Sequence, residues 1–286
     1  MKREALSAEQ PYLVVEEREP DGNGGQVDTT TVFLTASECP IGCSMCDLYR
    51  YTLATATPPG AIPRQMDMAL GDRSPPQRTL RAWIKLYNSG NFFDPRSIPP
   101  ADYASIAARC EPFSRVVVEN HPRFGTDRAR RFRDLINAPL EVAVGLETVQ
   151  PRWLNRLEKQ MSRDDFDRYA RWLRNEGVDL RVFVIIGVPG VSALESTRWA
   201  RLTARHAIAC GARHVSLIPA RSGHGWNGCA EQLPKLSVDA ILELRRAAIM
   251  DADGRAAITI DLWDLDSGAD QLKQLIEVNL TQRVSE

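Results

Sequence analysis

Lysine is scarce in this chain of 286 residues. Arginine carries most of the positive charge, and acidic residues balance it to a formal net charge of −1. A protein that coats nucleic acid over a broad surface needs a large positive excess, so the sequence excludes that class and leaves room only for a local groove. The lysines are Lys2, Lys85, Lys159, Lys235 and Lys273.

Long apolar runs are absent as well. No stretch approaches the ~20 residues that a membrane-spanning helix needs, and the polar segment 1–11 does not resemble a signal peptide. Hydrophobic residues nevertheless make up 43% of the chain, which is enough for a sizeable core. We therefore expect a cytoplasmic globular protein that makes no contact with a membrane.

Cysteine is limited to six residues, and three of them lie within the segment 39–46. The other three, Cys110, Cys210 and Cys229, are dispersed. A disulfide framework would space its cysteines through a small secreted chain, which this chain is not. The dispersed cysteines also give no second cluster-binding motif, so any metal chemistry is expected in one loop.

Short β-branched runs alternate with longer amphipathic stretches along most of the chain. This rhythm predicts a parallel sheet of right-handed βαβ units, an α/β fold in which six units form an open, partial (β/α)6 barrel. The active site of a parallel barrel lies at the C-terminal ends of its strands. The predicted strands are 31–35, 83–87, 115–118, 141–146, 180–186, 214–218 and a weaker 257–262; the predicted helices are 102–109, 128–136, 163–175, 194–209 and 238–250.

Two segments do not follow this rhythm. Residues 5–30 are polar and contain the loop sequence 21–25, so we expect residues 1–30 to form an N-terminal extension. Residues 51–79 hold five prolines and little helical period, which suggests a flap over the neighbouring site. Residues 31–220 would then form the core, and residues 221–286 would complete the same single domain on the substrate side.

The loop after the first predicted strand contains Cys39, Cys43 and Cys46 in the spacing C-x3-C-x2-C. Three thiolates on so short a loop can each bind a different iron of a 4Fe–4S cluster. The fourth iron then has no protein ligand, and an open position allows a metal centre to bind and activate a substrate. The loop therefore indicates an iron–sulfur site that performs chemistry.

Two other interpretations of the loop are open. A zinc knuckle would need four ligands, commonly two C-x2-C-like pairs, but there is no second pair, and His121 is remote in the sequence. Alternatively, the three cysteines are buried without a ligand. The spacing and the position after a first strand favour the cluster.

The loop resembles the signature of the radical S-adenosylmethionine (SAM) superfamily, and residues 31–220 are similar to its branch with the Elongator catalytic subunit, the methylthiotransferases and oxygen-independent coproporphyrinogen oxidase. In that family the open iron chelates SAM, and one electron cleaves SAM to methionine and a 5′-deoxyadenosyl radical. The resemblance implies a partial barrel of the radical SAM type, a 4Fe–4S cluster and SAM as cofactors, and an electron donor such as flavodoxin or ferredoxin.

The same resemblance implies which residues bind SAM. The family's residue before the last cysteine is usually aromatic and lies near adenine; here it is Met45, whose thioether can also pack against a ring. An acid that some relatives carry on the fifth strand is replaced by Phe183, which removes one ribose contact. The remaining implied contacts are Asn88, Ser89 and Gly90 for the methionine amino group, Glu119 near the cofactor, Glu147 for the ribose, Lys159 for the SAM carboxylate, and Ile186 and Gly187 against adenine.

A narrower resemblance concerns the substrate. Residues 43–47, 85–95 and 116–122 look most like the radical SAM subunit of archaeosine synthase, which implies a lysine-modified 7-deazaguanine in tRNA and a tRNA-binding partner subunit. A small-molecule substrate and a non-catalytic iron–sulfur or zinc protein are the alternatives. The loop 219–229 would hold the substrate, and its candidate catalytic residues are Arg221, His224 and Cys229.

Overall fold

Seven parallel strands and one antiparallel strand form an eight-stranded sheet in the computed structural model, which describes residues 6–71, 82–223, 225–263, 265 and 269–282. The strands lie side by side in sequence order, and β1 pairs antiparallel with β2 while β2 to β8 run parallel. The predicted partial parallel barrel is therefore confirmed. The strands are β1 (Leu13–Pro20), β2 (Gln26–Phe33), β3 (Trp83–Tyr87), β4 (Arg115–Glu119), β5 (Leu140–Glu147), β6 (Asp179–Ile186), β7 (Ala212–Pro219) and β8 (Ala257–Ile260).

Helices follow the parallel strands and cover the outer face of the sheet. The last helix contacts both β1 and β8, so it bridges the two edges of the open barrel. The five predicted helices occur with ends within three residues of the expected ones. The helices are α1 (Ala61–Leu70), α2 (Tyr103–Cys110), α3 (Thr126–Arg133), α4 (Pro151–Arg156), α5 (Arg163–Asn175), α6 (Ala193–Ala209), α7 (Val238–Ala252) and α8 (Ala269–Leu280).

Strand alternation separates the apolar core from the barrel interior. In β3, Ile84 and Leu86 point outward into the core under the helices, whereas Lys85 and Tyr87 line the interior cavity. Each fully buried aliphatic side chain of the outer face contributes about 1.5–3 kcal/mol to stability. The helices therefore cover an apolar face, and the inner face carries the polar groups.

The N-terminal segment, expected as an extension, contains a β-hairpin. β1 pairs with β2 over their full lengths, and β2 begins at Gln26, five residues before the predicted strand. The glutamates of β1 gave it a polar pattern, but Glu17 and Glu19 point into the barrel, where they bind Thr31 and Lys85. A strand that is charged on its inner face does not show the apolar alternation expected of a strand.

The proline-rich segment 51–79, expected as a flap without helical structure, contains a helix in the part that the structure describes, which ends at residue 71. Residues 61–70 form α1, whose inner face is buried in the core. Pro63 lies in the first turn of this helix, where a missing N–H is tolerated. The side-chain amide of the buried Gln65 accepts the Thr35 backbone N–H at 2.8 Å and donates to the Thr35 carbonyl oxygen at 2.9 Å. These hydrogen bonds help to position the segment that leads into the cysteine loop.

Within the described ranges, no helix combines the length and the apolar character needed to cross a bilayer.

Candidate active site

A cavity of about 1320 Å³ occupies the interior of the barrel. It reaches the ends of the strands where the cysteine loop and the βα loops meet. Of the residues expected to bind a cofactor or substrate, ten line this cavity: Cys39, Cys43, Met45, Cys46, Ser89, Gly90, Glu119, Glu147, Lys159 and Arg221.

The cysteine loop is fixed by the segment that follows α4. Ser44 donates its backbone N–H to Leu157 O at 3.0 Å and its hydroxyl to Arg156 O at 2.9 Å. Gln160 donates its side-chain amide to Ile41 O at 3.0 Å. These bonds hold the loop over the C-terminal end of β5, so the cysteines face the cavity.

The three sulfurs of the loop are not gathered as they would be around one ion. Among the residues that the structure describes, those of Cys39, Cys43 and Cys46 do not all lie within 4.8 Å of one another. One tetrahedral zinc would draw thiolates to roughly 3.8 Å from each other, because each Zn–S bond is about 2.3 Å. At least one pair of sulfurs is therefore farther apart than a zinc knuckle requires.

The cysteines also lie in a desolvated environment. Burial raises the pKa values of Cys39 and Cys43, and it raises that of Cys46 to about 12. Asn91 donates its side-chain amide to Cys39 Sγ at 3.1 Å, which supports negative charge on that sulfur. Metal binding here must displace thiol protons, as it does wherever cysteine is a ligand.

Glu119, the last residue of β4, organises the loop after β3. Its carboxylate accepts the backbone N–H groups of Asn88 at 2.7 Å and of Gly90 at 3.2 Å. Between them Ser89 has a φ of 52°, a left-handed conformation that is uncommon outside glycine. Burial outweighs these hydrogen bonds and raises the pKa of Glu119 to about 7.

Asn88 itself does not line the cavity. Its side chain is fully buried, and its amide bonds Ser97 Oγ at 2.7 Å. Of the three loop residues expected at the methionine amino group, therefore, Ser89 and Gly90 reach the cavity, and the Asn88 side chain supports the loop from behind.

Glu147 and Lys159 form a buried ion pair beside the cysteines. Lys159 donates to Glu147 Oε1 at 3.0 Å, and both side chains are at most one-tenth exposed. A β-bulge between Gly145 and Glu147 turns the Glu147 side chain inward at a φ of 64°. Burial alone would lower the pKa of Lys159, but the charges of Glu147 and the cysteines raise it above its usual value, so the ammonium is retained.

Gly145 provides the space for this pair. A Cβ at this position would lie 2.7 Å from Lys159 Nζ and closer still to the Glu147 carboxylate. Only glycine leaves both charged groups where they are.

Two further residues of the cavity, Asn91 and His121, were not expected to bind a cofactor or substrate. Asn91 accepts the His121 backbone N–H at 2.8 Å, and His121 Nε2 bonds Lys159 O at 2.9 Å. Burial and the nearby Lys159 lower the pKa of His121 to about 4, so the ring is neutral. Both residues follow strand ends, at 88–91 and 120–121, and that position was the available signal.

The candidate substrate loop 219–229 differs from expectation. Arg221 lines the cavity, but its guanidinium is paired with Asp261, so it is not a free anion-binding group. Cys229 packs on a small apolar cluster with Trp226 rather than lining the cavity, and His224 lies outside the described residues. Gly223 abuts the backbone of Met45, which brings this loop against the cysteine loop.

The two residues expected against adenine, Ile186 at the end of β6 and Gly187 after it, do not line the cavity. Ile186 points outward into the core, and Gly187 packs against Pro234, so neither lines the cavity. Ile185 does. Strand parity explains the difference, because successive side chains face opposite sides of the sheet.

Deeper in the barrel lies a layer of charges that the sequence did not suggest. Arg181 bonds Glu141 at 2.6 Å and Glu19 at 2.9 Å, and Lys85 bonds Glu19 at 2.6 Å. We call these four residues the floor layer, because they lie near the N-terminal ends of the parallel strands. We call Cys39, Cys43, Cys46, Glu119, Glu147 and Lys159 at the other end the rim site.

The rim site suits a cluster with an organic ligand. Three cysteine sulfurs at one opening are a ligand set that would suit an iron–sulfur core. Beside them, Lys159 offers a cation for a carboxylate, and Glu147 has the oxygen acceptors that hydroxyl groups need. The donor set thus fits both implied cofactors.

No protein-family model matches the sequence, and no curated protein matches it either. Solved structures do match. Methylornithine synthase (PylB) has a TM-score of 0.60 at 14% identity, over 88% of this chain and 69% of that one. Elp3 of the archaeon Methanocaldococcus infernus has a TM-score of 0.50 at 13% identity, over 68% of this chain and 53% of that one.

Coproporphyrinogen III oxidase (HemN) from Escherichia coli, a radical SAM enzyme, has a TM-score of 0.50 at 11% identity, over 88% of this chain and 54% of that one. This chain thus spans about half the length of Elp3 and HemN. At such identities the likeness concerns the fold. The chain has the fold of the radical SAM enzymes.

Proposed function

We propose that this protein is a radical SAM enzyme. The observation that carries the proposal is the C-x3-C-x2-C loop, which lies at the C-terminal edge of a partial parallel barrel with its sulfurs facing a large cavity. Cys39, Cys43 and Cys46 would hold a 4Fe–4S cluster whose open iron binds SAM, and the chemistry that this group would supply is the one-electron reductive cleavage of SAM.

The rim site assigns a task to each of its side chains. Cys39, Cys43 and Cys46 would hold the cluster, and Asn91 would stabilise the first of them by its hydrogen bond. Glu119 fixes the turn at residues 88–90, whose backbone would face the amino group of the cofactor. The desolvated surroundings would exclude water from the bound cofactors.

The Glu147–Lys159 pair would orient SAM from the opposite side. Lys159 retains its charge and would attract the SAM carboxylate, while Glu147 would accept hydrogen bonds from the ribose hydroxyls. The ion pair holds both side chains in place before the cofactor arrives, which reduces the entropy lost on binding.

The cavity favours a planar substrate. Four aromatic side chains that line the cavity contact one another in a row: Tyr12, Phe33, Tyr87 and Phe183. The centroids of neighbouring rings in this row are 5.5, 6.0 and 6.2 Å apart. Such a band suits stacking on a flat ring. The charged groups of the floor layer below are already paired, so the band is the main recognition surface that we propose.

A lysine-modified 7-deazaguanine in tRNA is the finer proposal for the substrate, and it rests on the resemblance of residues 85–95 to archaeosine synthase. It would require a tRNA-binding partner subunit, because the formal net charge of −1 provides no broad basic surface. A small aromatic molecule would fit the same band. Flavodoxin or ferredoxin in the cytoplasm would supply the electron.

The first experiment tests cofactor chemistry. The cluster is reconstituted anaerobically, SAM and dithionite are added, and 5′-deoxyadenosine is measured beside iron per chain. We expect its release from the wild type, and loss of both iron and cleavage in Cys43→Ala. Cys110→Ala is the matched control, because it removes a buried thiol on α2 that does not line the cavity.

Two results would count against the proposal. Normal cleavage by Cys43→Ala would show that the ligand assignment is wrong. Intact SAM beside a full cluster would instead support an iron–sulfur protein without turnover.

The substrate is tested by deuterium transfer. Candidates deuterated at the reacting carbon are supplied with SAM, and 5′-deoxyadenosine is analysed for the label. Transfer from tRNA carrying the lysine-modified base would support the finer proposal, whereas transfer from a free small molecule alone would replace it.

A further inference from the structure

A second cluster of ligand-type side chains lies outside the barrel, on neighbouring helices. Asp167 of α5 approaches His206 of α6 and Cys210 just after α6. His206 Nε2 is 2.7 Å from Asp167 Oδ1, and Cys210 Sγ is 3.6 Å from each of those two atoms. None of the three residues lines the cavity, so the cluster is separate from the rim site.

These distances match a single small cation. With Zn–S bonds of about 2.3 Å, and Zn–N and Zn–O bonds of about 2.0–2.1 Å, a tetrahedral zinc places sulfur roughly 3.6 Å from its nitrogen and oxygen neighbours. Both sulfur distances already have this value. Only the nitrogen–oxygen pair would have to open, by about 0.7 Å, from a hydrogen bond to the separation in a coordination sphere.

The sequence explains why the three groups converge. His206 and Cys210 are four residues apart, so they share one face at the end of α6. The C-terminal end of a helix carries partial negative charge, which favours a cation there. Asp167 reaches the pair from α5, and the ring of Phe166 packs 6.2 Å from that of His206, so the two helices are already in contact.

The choice of ligand follows from the donor set. One thiolate, one imidazole and one carboxylate are borderline-soft in combination, a set that suits zinc rather than magnesium or calcium. All three side chains are partly exposed, so an ion can enter from solvent. Burial and the Asp167 carboxylate raise the pKa of Cys210 to about 11, while Arg174 and Arg171 act in the opposite direction, so an ion that binds here would displace the thiol proton.

We propose that Asp167, His206 and Cys210 form a zinc site that joins α5 to α6 and leaves one coordination position for water. These helices flank β6, the strand whose Phe183 and Ile185 line the cavity. The ion would stabilise the wall of the barrel without taking part in the chemistry of the rim site.

Zinc binding is measured on the full chain in a background where Cys39, Cys43 and Cys46 are replaced by alanine, so that the rim site takes up no metal. We expect one zinc per chain, and at least a tenfold loss of affinity in Cys210→Ser, His206→Ala and Asp167→Asn. Asp164→Asn is the matched control, because it changes an exposed carboxylate on the same helix and should bind zinc normally.

Cobalt provides a spectroscopic signature of the sulfur ligand. Cobalt at this site should give a near-ultraviolet thiolate charge-transfer band that disappears in Cys210→Ser. A background protein that binds no zinc, or cobalt binding without the thiolate band, would overturn the proposal.

If the triple-alanine background does not fold, the cluster-loaded wild type replaces it. Zinc and iron are then counted in the same sample, with Cys210→Ser for comparison. We expect zinc to fall in that variant while iron stays constant. Equal zinc in both proteins would contradict the site.

Discussion

Two glutamates on the inner face of the barrel have pKa values that are shifted in opposite directions. At Glu19 in the floor layer, burial would raise the pKa, but Arg181 and Lys85 hold it well below its usual range. At Glu119 in the rim site, burial prevails over backbone hydrogen bonds and raises the pKa to about 7. Glu19 is buried and Glu119 is partly buried in the same sheet, and the difference comes mainly from the neighbouring charges.

The difference between these two pKa shifts distinguishes the floor layer, which is a structural element, from the rim site, which is the candidate active site. The floor layer is electrostatically complete, because each of its charges is bonded to one of opposite sign. The rim site holds thiols and a carboxylate whose charged forms are disfavoured as the chain stands. Strongly shifted pKa values cluster at functional sites, which supports the role that we propose for the rim site.

The largest effect on stability is expected at Arg181. Its side chain is about 2% exposed and bonds both Glu19 and Glu141, so Arg181→Met leaves an excess of buried negative charge. We expect unfolding free energy to fall by about 3–5 kcal/mol, as measured by chemical denaturation.

A charge-balanced variant distinguishes electrostatics from packing. Arg181→Met combined with Glu141→Gln restores the balance of signs, and it should recover part of the lost stability. If the double variant is less stable than Arg181→Met, packing rather than charge determines the stability of the floor layer.

The next effect is a pH dependence that arises from Glu119. Its pKa is raised on folding, so its contribution to stability is fully present below about pH 4.5 and is lost as the pH rises through about 7. The cofactor-free wild type should therefore lose on the order of 2–3 kcal/mol over this window through this group.

Glu119→Gln isolates this contribution, because it keeps an oxygen acceptor for the 88–90 turn and removes the titration. Denaturation at pH 5 and pH 8 should show a smaller fall in stability for the variant than for the wild type. Equal pH slopes for the two proteins would mean that Glu119 is not the titrating group.

A smaller effect is expected at Gly145, and it is measured as a loss of activity. Gly145→Ala introduces a methyl group 2.7 Å from Lys159 Nζ and displaces the Glu147–Lys159 pair. We expect SAM cleavage to fall about 10–100-fold while the chain stays folded, because a small misplacement of cofactor-orienting groups has effects of that size.

Lys159→Met tests whether the alanine acts through this pair. If it does, the double variant Gly145→Ala/Lys159→Met should be no slower than the slower single variant. Fully additive losses would show that Gly145 acts through another contact.

The sequence was sufficient for features that depend on local pattern. β-branched runs predicted the parallel strands β3 to β8, and the cysteine spacing identified the loop that faces the cavity. It was insufficient where long-range pairing decides. Glu19 and Arg181 are 162 positions apart, and nothing in the local sequence distinguishes either of them from an ordinary surface charge. In the structure they form an ion pair in the floor layer.

Other differences between expectation and structure also depend on how segments fold and pack. The prolines of residues 51–79 argued against a helix, yet residues 61–70 form α1, and one of the prolines lies in its first turn. Ile185 rather than Ile186 faces the cavity because strand register, and not the motif, determines which side chains point inward. The pairing of Arg221 with Asp261 depends on β8 lying beside β7, which the local sequence of the loop does not encode.

The smallest effect is expected at Arg201, whose bidentate pair with Asp251 has the same chemistry as the floor layer but lies at the surface. Arg201 is 46% exposed, so water competes for both ions and the pair contributes little. Arg201→Ala should lower unfolding free energy by less than about 1 kcal/mol, and added salt should reduce the loss further. A loss as large as that of Arg181→Met would mean that burial is not what distinguishes the two pairs, and the electrostatic account of the floor layer would then be untenable.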